Sequence, residues 1–120
     1  MEKCVYLVED DPDIAYIIQY FLEEEEMKVN IFYTVKSLQI TIEETSPDFF
    51  IFDFNLPDGN GLELCNDVKA DPRWAKIPIL ILSAHKTTDE LAENCTAEAY
   101  LSKPFDLDNL LKTVNGLLKE

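Results

Sequence analysis

Asp53 ends an apolar run, Phe49-Phe50-Ile51-Phe52, and the acids Glu9 and Asp10 end another, Val5-Tyr6-Leu7-Val8. Ser83 closes a third, Ile79-Leu80-Ile81-Leu82, and Lys103 follows a fourth, shorter one, Ala99-Tyr100-Leu101. Each run reads as a buried strand, and each leads into a reactive or charged side chain. In an open parallel sheet, ligands bind outside the carboxyl ends of the strands. Four such ends would gather carboxylates, a hydroxyl and an ammonium at one place, a set suited to a metal ion and a phosphoryl group.

The segments between these runs must supply the crossovers that parallel strands require. Asp11-Pro12 offers an N-cap followed by proline at the first helical position. Ile14, Ile17, Ile18, Phe21 and Leu22 then share one helical face. The acids Glu23 to Glu26 disfavour a helix C-terminus and read as a solvated end or turn. Val29 to Tyr33 is rich in β-formers. Val35 to Thr45 fits either period, and β-branched residues favour strand. A helix is expected there because another buried strand follows at Phe49 to Phe52.

Leu56-Pro57-Asp58-Gly59-Asn60-Gly61 reads as a loop from its composition. Gly61 to Ala70 reads as a helix with Leu62, Cys65 and Val68 inward, ended by Asp71-Pro72. Pro78 to Leu82 is the next strand. Thr87-Thr88-Asp89-Glu90 is a capping box that opens a short helix. Ala99 to Leu101 is the last strand, and Asp106 caps a final helix. Five strands alternating with five helices predict an α/β domain over residues 1–120, with a doubly wound parallel sheet covered on both faces.

Bulk properties exclude several classes. Twenty-four acids against ten bases give a net charge of −14, which repels nucleic acid and anionic membrane. Three cysteines without a CxxC pair argue against a disulfide framework or a zinc site, so Cys4, Cys65 and Cys95 are expected as reduced thiols. Met-Glu-Lys leads straight into a strand without the apolar core of a signal peptide, and no apolar run reaches the length of a membrane span. A cytoplasmic location is the expectation. With three glycines, no Walker loop or GxGxxG fits.

Four motifs in order now carry a resemblance. They are Leu7-Val8-Glu9-Asp10-Asp11, Phe52-Asp53-Phe54-Asn55-Leu56-Pro57-Asp58-Gly59-Asn60-Gly61, Leu82-Ser83-Ala84 and Tyr100-Leu101-Ser102-Lys103-Pro104-Phe105. Together they resemble the response-regulator receiver domain of two-component signalling, over essentially the whole chain. The resemblance implies a flavodoxin-like (βα)5 fold with strand order 2-1-3-4-5. It implies Asp53 as phosphoacceptor, and Mg²⁺, with Mn²⁺ as the alternative, held by Glu9, Asp10, Asp53 and the backbone carbonyl of Asn55. Lys103 would pair with the phosphoryl oxygens, before a cis Pro104. Ser83 would hydrogen-bond the phosphoryl group, and Tyr100 would rotate into the space that Ser83 vacates.

The implied partners are a sensor histidine kinase or a histidine phosphotransfer protein, together with an output domain or target protein. The face built by the last two strands and the helix between them would be the switch surface, and homodimerisation on phosphorylation is compatible with it. Such a domain phosphorylates itself and slowly hydrolyses the product, without being an enzyme in the usual sense. Two other readings compete. A hydrolase of the haloacid-dehalogenase type wants a second Asp two residues after the nucleophile, where Asn55 stands. A pure interaction module would tolerate loss of Asp10, Asp53 or Lys103, and all three are present. His85 flanks the site in the family's geometry, and Thr96 stands where many receivers carry glycine.

Overall fold

The computed structural model describes residues 2–84 and 97–118. In chain order it contains β1 (Lys3–Val8), α1 (Pro12–Glu23), β2 (Met27–Phe32), α2 (Val35–Ile42), β3 (Phe49–Asp53), the two-residue strands β4 (Asn55–Leu56) and β5 (Gly59–Asn60), α3 (Gly61–Ala70), β6 (Ile79–Ser83), β7 (Ala99–Ser102) and α4 (Leu107–Leu118). Five strands form one parallel sheet in the order β2-β1-β3-β6-β7. Counting only these five, the order is 2-1-3-4-5, as the resemblance implied. The expected capping box at Thr87 to Glu90, the helix it opens, His85 and Thr96 lie outside the described residues.

The sheet is buried on both faces, and this is why its strands read as continuous apolar runs rather than alternating ones. Successive side chains of a strand point to opposite faces. Val5, Leu7, Phe49, Ile51, Leu80 and Leu82 therefore pack on one side with α1 and α4, through Ile18, Leu22, Leu110 and Val114. Tyr6, Val8, Phe50, Phe52, Ile79 and Ile81 pack on the other with α2 and α3, through Leu38, Ile42, Leu64 and Val68. Burial of each such large side chain stabilises the fold by roughly 1.5–3 kcal/mol. The central strand β3 is buried along its whole length, its terminal aspartate included.

Side-chain caps fix where the helices begin. Asp11 accepts from the backbone N–H groups of Asp13 and Ile14, and Asp106 accepts from those of Asp108 and Asn109. Thr34 caps α2 through Ser37. Asn60 caps α3 by accepting from the Glu63 backbone N–H, and its side-chain amide donates in turn to the Glu63 carboxylate. The ambiguous segment from Val35 is helical, as the crossover argument required, although it stops at Ile42.

Two expectations need correction. The stretch from Leu56 to Gly61 is not simply a loop, because Asn55–Leu56 pairs antiparallel with Gly59–Asn60. Pro57 and Asp58 make the turn, and the buried Leu56 side chain pulls the hairpin onto the domain. Cys65 is disulfide-bonded, whereas Cys4 is a free thiol. An odd cysteine count forbids complete pairing but not a single bond.

Candidate functional site

The carboxyl ends of β1, β3, β6 and β7 do converge. Glu9 follows β1 directly and its backbone N–H donates to the Phe32 carbonyl at 3.0 Å, so the end of β2 holds it in place. Asp53 is the last residue of β3, in register with Leu82. Ser83 ends β6 and is fully buried. The Lys103 backbone N–H donates to the Ser83 carbonyl at 2.7 Å, extending the β6–β7 ladder by one bond. The Lys103-Pro104 peptide is cis, as expected.

Carboxylate oxygens of Glu9, Asp10 and Asp53 lie within 4.8 Å of one another. Glu9 is 1% and Asp53 6% exposed, while Asp10 reaches solvent. Between them lies the Lys103 ammonium, 2.7 Å from Asp53 Oδ1 and 2.9 Å from Glu9 Oε1. Removing two carboxylates from water disfavours their charge. Burial pushes the Glu9 carboxyl above its ordinary value, and the Asp53 charge adds to this against the hydrogen bond from Lys103. Burial likewise raises Asp53, with Asp10 adding to the rise, while Lys103 and the backbone N–H of Asn55 oppose it. Burial by itself would lower Lys103, but its hydrogen bonds to Asp53 and Glu9 outweigh that and hold the ammonium above the ordinary lysine value.

The cluster is therefore three acids and one cation, an imbalance that a divalent cation would relieve. Hard oxygen donors on two carboxylates, with a third nearby, match what Mg²⁺ takes, and no histidine or thiol competes in the set. Asn55 sits beside them at the start of β4, exposed, with its backbone N–H on the Asp53 carboxylate.

Gly61 explains how α3 can begin so close to this point. A Cβ there would fall 2.4 Å from the Asp53 backbone oxygen, and the Gly61 N–H donates to the Phe54 carbonyl at 2.9 Å. Tyr100 lies opposite Ile81 in β7, half-buried against the α2/α3 side of the core. Sequence reasoning overlooked Asp58, whose carboxylate accepts from the backbone N–H groups of Val35 and Lys36 at the start of α2. It also overlooked an apolar groove of about 410 Å³ beside Lys103, lined by Ile14, Ile17, Pro104, Phe105 and Leu107.

A doubly wound parallel sheet with an acid cluster, a lysine and a serine at its carboxyl edge is the framework of a flavodoxin-like α/β domain. The response regulator receiver domain model matches residues 5–115, and the chain belongs to that family. Its relatives include the phosphate regulon transcriptional regulatory protein PhoB of Rhizobium meliloti (strain 1021), 29% identical over 96% of this chain and 52% of its own length. The KDP operon transcriptional regulatory protein KdpE of Escherichia coli (strain K12) is 33% identical over 88% of this chain and 47% of its own. The chain thus spans about half the length of these curated relatives. A putative response regulator from Chloroflexus aurantiacus J-10-fl superimposes with a TM-score of 0.92 at 27% identity, covering 98% of each chain. The signal receiver domain of a histidine kinase from Syntrophus aciditrophicus gives 0.90 at 25% identity, over 97% of this chain and 89% of that one. Receiver domains serve phosphorylation-based signalling and are not enzymes in the usual sense. Among the described residues, no helix is long and apolar enough to cross a membrane.

Proposed function

We propose that Asp53 accepts a phosphoryl group from the phosphohistidine of a sensor histidine kinase or histidine phosphotransfer protein. The observation that carries this reading is the placement of Asp53 between Glu9, Asp10 and Lys103 at the carboxyl edge of the sheet. An Asp53 carboxylate oxygen attacks phosphorus, the P–N bond breaks, and the imidazole leaves with the electron pair and takes up a proton. The product is an aspartyl phosphate, and the same site hydrolyses it slowly.

Glu9, Asp10, Asp53 and the Asn55 carbonyl are the groups that would hold Mg²⁺, or Mn²⁺ in its place. When bound, the ion supplies charge neutralisation between the carboxylates and the phosphoryl oxygens. Lys103 leaves its carboxylate partners for a phosphoryl oxygen. It is a compact, mobile point charge suited to that exchange. Ser83, buried at the end of β6, donates its hydroxyl to the phosphoryl group. Tyr100 then turns further inward, and the face around β6 and β7 changes shape for an output domain, a target protein or a second copy. A cytoplasmic setting and a receiver domain spanning residues 1–120 belong to the same reading. The net charge of −14 gives this domain no direct role with nucleic acid or membrane.

Intact-mass measurement after incubation with acetyl phosphate tests the proposal. One phosphoryl adduct that requires Mg²⁺ and is lost in Asp53→Asn is the expected result. An unmodified wild-type protein that also fails to bind Mg²⁺ would leave only the interaction-module reading.

A further inference from the structure

Hydrogen bonds at the tip of the β4–β5 hairpin run to a helix that is remote in sequence. Asp58 Oδ1 accepts from the Val35 N–H at 2.8 Å and Oδ2 from the Lys36 N–H at 3.1 Å. These are two of the donors that a helix start leaves without intrahelical partners. Helix α2 has its own N-cap in Thr34, which takes the Ser37 N–H. Asp58 is thus a second cap, delivered from another segment, and it ties two parts of the chain together. The fit is close, since a Cβ on Gly59 would stand 3.3 Å from the Val35 side chain.

Strands of two residues have little stability of their own. The base of the hairpin is fixed by the Phe54 N–H on the Leu82 carbonyl at 2.7 Å and by the Gly61 N–H on the Phe54 carbonyl at 2.9 Å. Its far end is fixed through Asp58. Asn55 is the first residue of this hairpin, paired with Asn60. A backbone carbonyl has no rotamer of its own, so its direction depends on how rigidly its peptide is held. Metal ligands depend in the same way on the partners that orient them.

We propose that Asp58 is a positioning residue for the metal site, because its grip on the start of α2 fixes the hairpin and with it the Asn55 carbonyl. The inference rests on the reading of Glu9, Asp10, Asp53 and Asn55 as the metal-holding groups. The first turn of α2, which contributes no side chain to the site, is then part of its framework. The two backbone N–H groups also hold the Asp58 carboxyl below its ordinary value, led by that of Val35, so the tie is charged at neutral pH.

Mg²⁺ titration calorimetry on the wild type, Asp58→Ala, Asp58→Asn and Thr34→Ala tests the proposal. Asp58→Ala weakens Mg²⁺ binding about tenfold, the low end of the loss seen when an orienting partner is removed. Asp58→Asn keeps one acceptor oxygen and falls between. Thr34→Ala removes a cap from the same helix while leaving the hairpin tie, and it binds Mg²⁺ as the wild type does. With acetyl phosphate, the half-saturating Mg²⁺ concentration rises in Asp58→Ala while the rate at saturating Mg²⁺ stays near wild type. Should Asp58→Ala not fold, Asp58→Asn against Thr34→Ala carries the same comparison. Wild-type binding matched by the Asp58 variants overturns this proposal alone, as does an equal loss in Thr34→Ala. A wild type that binds no Mg²⁺ overturns the metal-site reading along with it.

Discussion

Asp53 and Asp58 belong to one short stretch of chain and are treated oppositely by the fold. Asp53 is buried at the end of a central strand, beside two other acids, and its carboxyl is raised. Asp58 is exposed at a hairpin tip, accepts two backbone N–H bonds, and its carboxyl is lowered. The first is a strained charge that shares the one Lys103 ammonium with Glu9, and the second is a satisfied charge serving as a clamp. The burial that raises Asp53 lets a bound cation and an incoming phosphoryl group be felt strongly there, because low dielectric magnifies charge. The exposure of Asp58 leaves its role to hydrogen-bond geometry. The contrast separates a group built for chemistry from one built for position.

Removing the cation from the strained side should have the largest effect on stability. Lys103 is 17% exposed and is shared by two carboxylates whose side chains are 1% and 8% exposed. Lys103→Met leaves both acids buried without their counter-charge. Taking one partner from a buried ion pair costs about 3–5 kcal/mol. The lower end, about 3 kcal/mol at neutral pH, is expected because either carboxyl relaxes by taking up a proton. Urea unfolding in the presence of a chelator measures this, and saturating Mg²⁺ should recover much of the loss. A loss that Mg²⁺ does not touch would show that Lys103 serves general packing rather than the acid cluster.

Gly61 links the two aspartates, since it starts α3 against the Asp53 backbone and closes the hairpin that carries Asp58. In Gly61→Ala the methyl meets the Asp53 carbonyl oxygen at 2.4 Å, so backbone has to move. Overpacking of this kind costs about 1–3 kcal/mol. The displaced strand end also slows phosphorylation by acetyl phosphate. Thermal unfolding together with the phosphorylation rate tests this, and full activity in a destabilised Gly61→Ala would break the link between loop position and chemistry.

Much of the strained side was legible in the sequence because its physics is local. A strand buried on both faces must be a continuous apolar run, and the residue that ends it marks the sheet edge, so Glu9, Asp53 and Ser83 could be placed from pattern alone. Lys103 was placed near the site through its motif, but its bridge to Glu9 spans 94 positions and arises only when the sheet closes. The clamp was invisible for the same reason. The Val35 and Lys36 N–H groups precede Asp58 by 23 and 22 positions, and every backbone N–H looks alike in a sequence. Pro57-Asp58-Gly59 announced a turn without saying that its flanks pair. Val35 to Ile42 shows the converse, where the local pattern left helix and strand open and the need for a crossover decided it correctly.

The two aspartates should also respond to pH with opposite signs, a smaller effect than either substitution. Glu9 and Asp53 have native values above their ordinary 4.5 and 3.8, so the folded state binds protons more readily than the unfolded chain. Their unfavourable contribution is therefore relieved as pH falls through the raised native values, and the relief is complete below the ordinary ones. Asp58 contributes stability that is fully present above 3.8 and is lost as pH falls through its lowered native value. Lys103 contributes stability that is present below 10.5 and is lost as pH rises through its raised native value. In metal-free protein, the stability difference between wild type and the Glu9→Gln, Asp53→Asn double variant should move in favour of wild type on mild acidification. The difference between wild type and Asp58→Asn should hold steady there and shrink only in stronger acid. Saturating Mg²⁺ reverses the first trend, because carboxylate ligands must be deprotonated to bind metal. Urea midpoints across this range, with and without Mg²⁺, decide it. Parallel pH profiles for the two differences would mean that burial does not separate Asp53 from Asp58 after all.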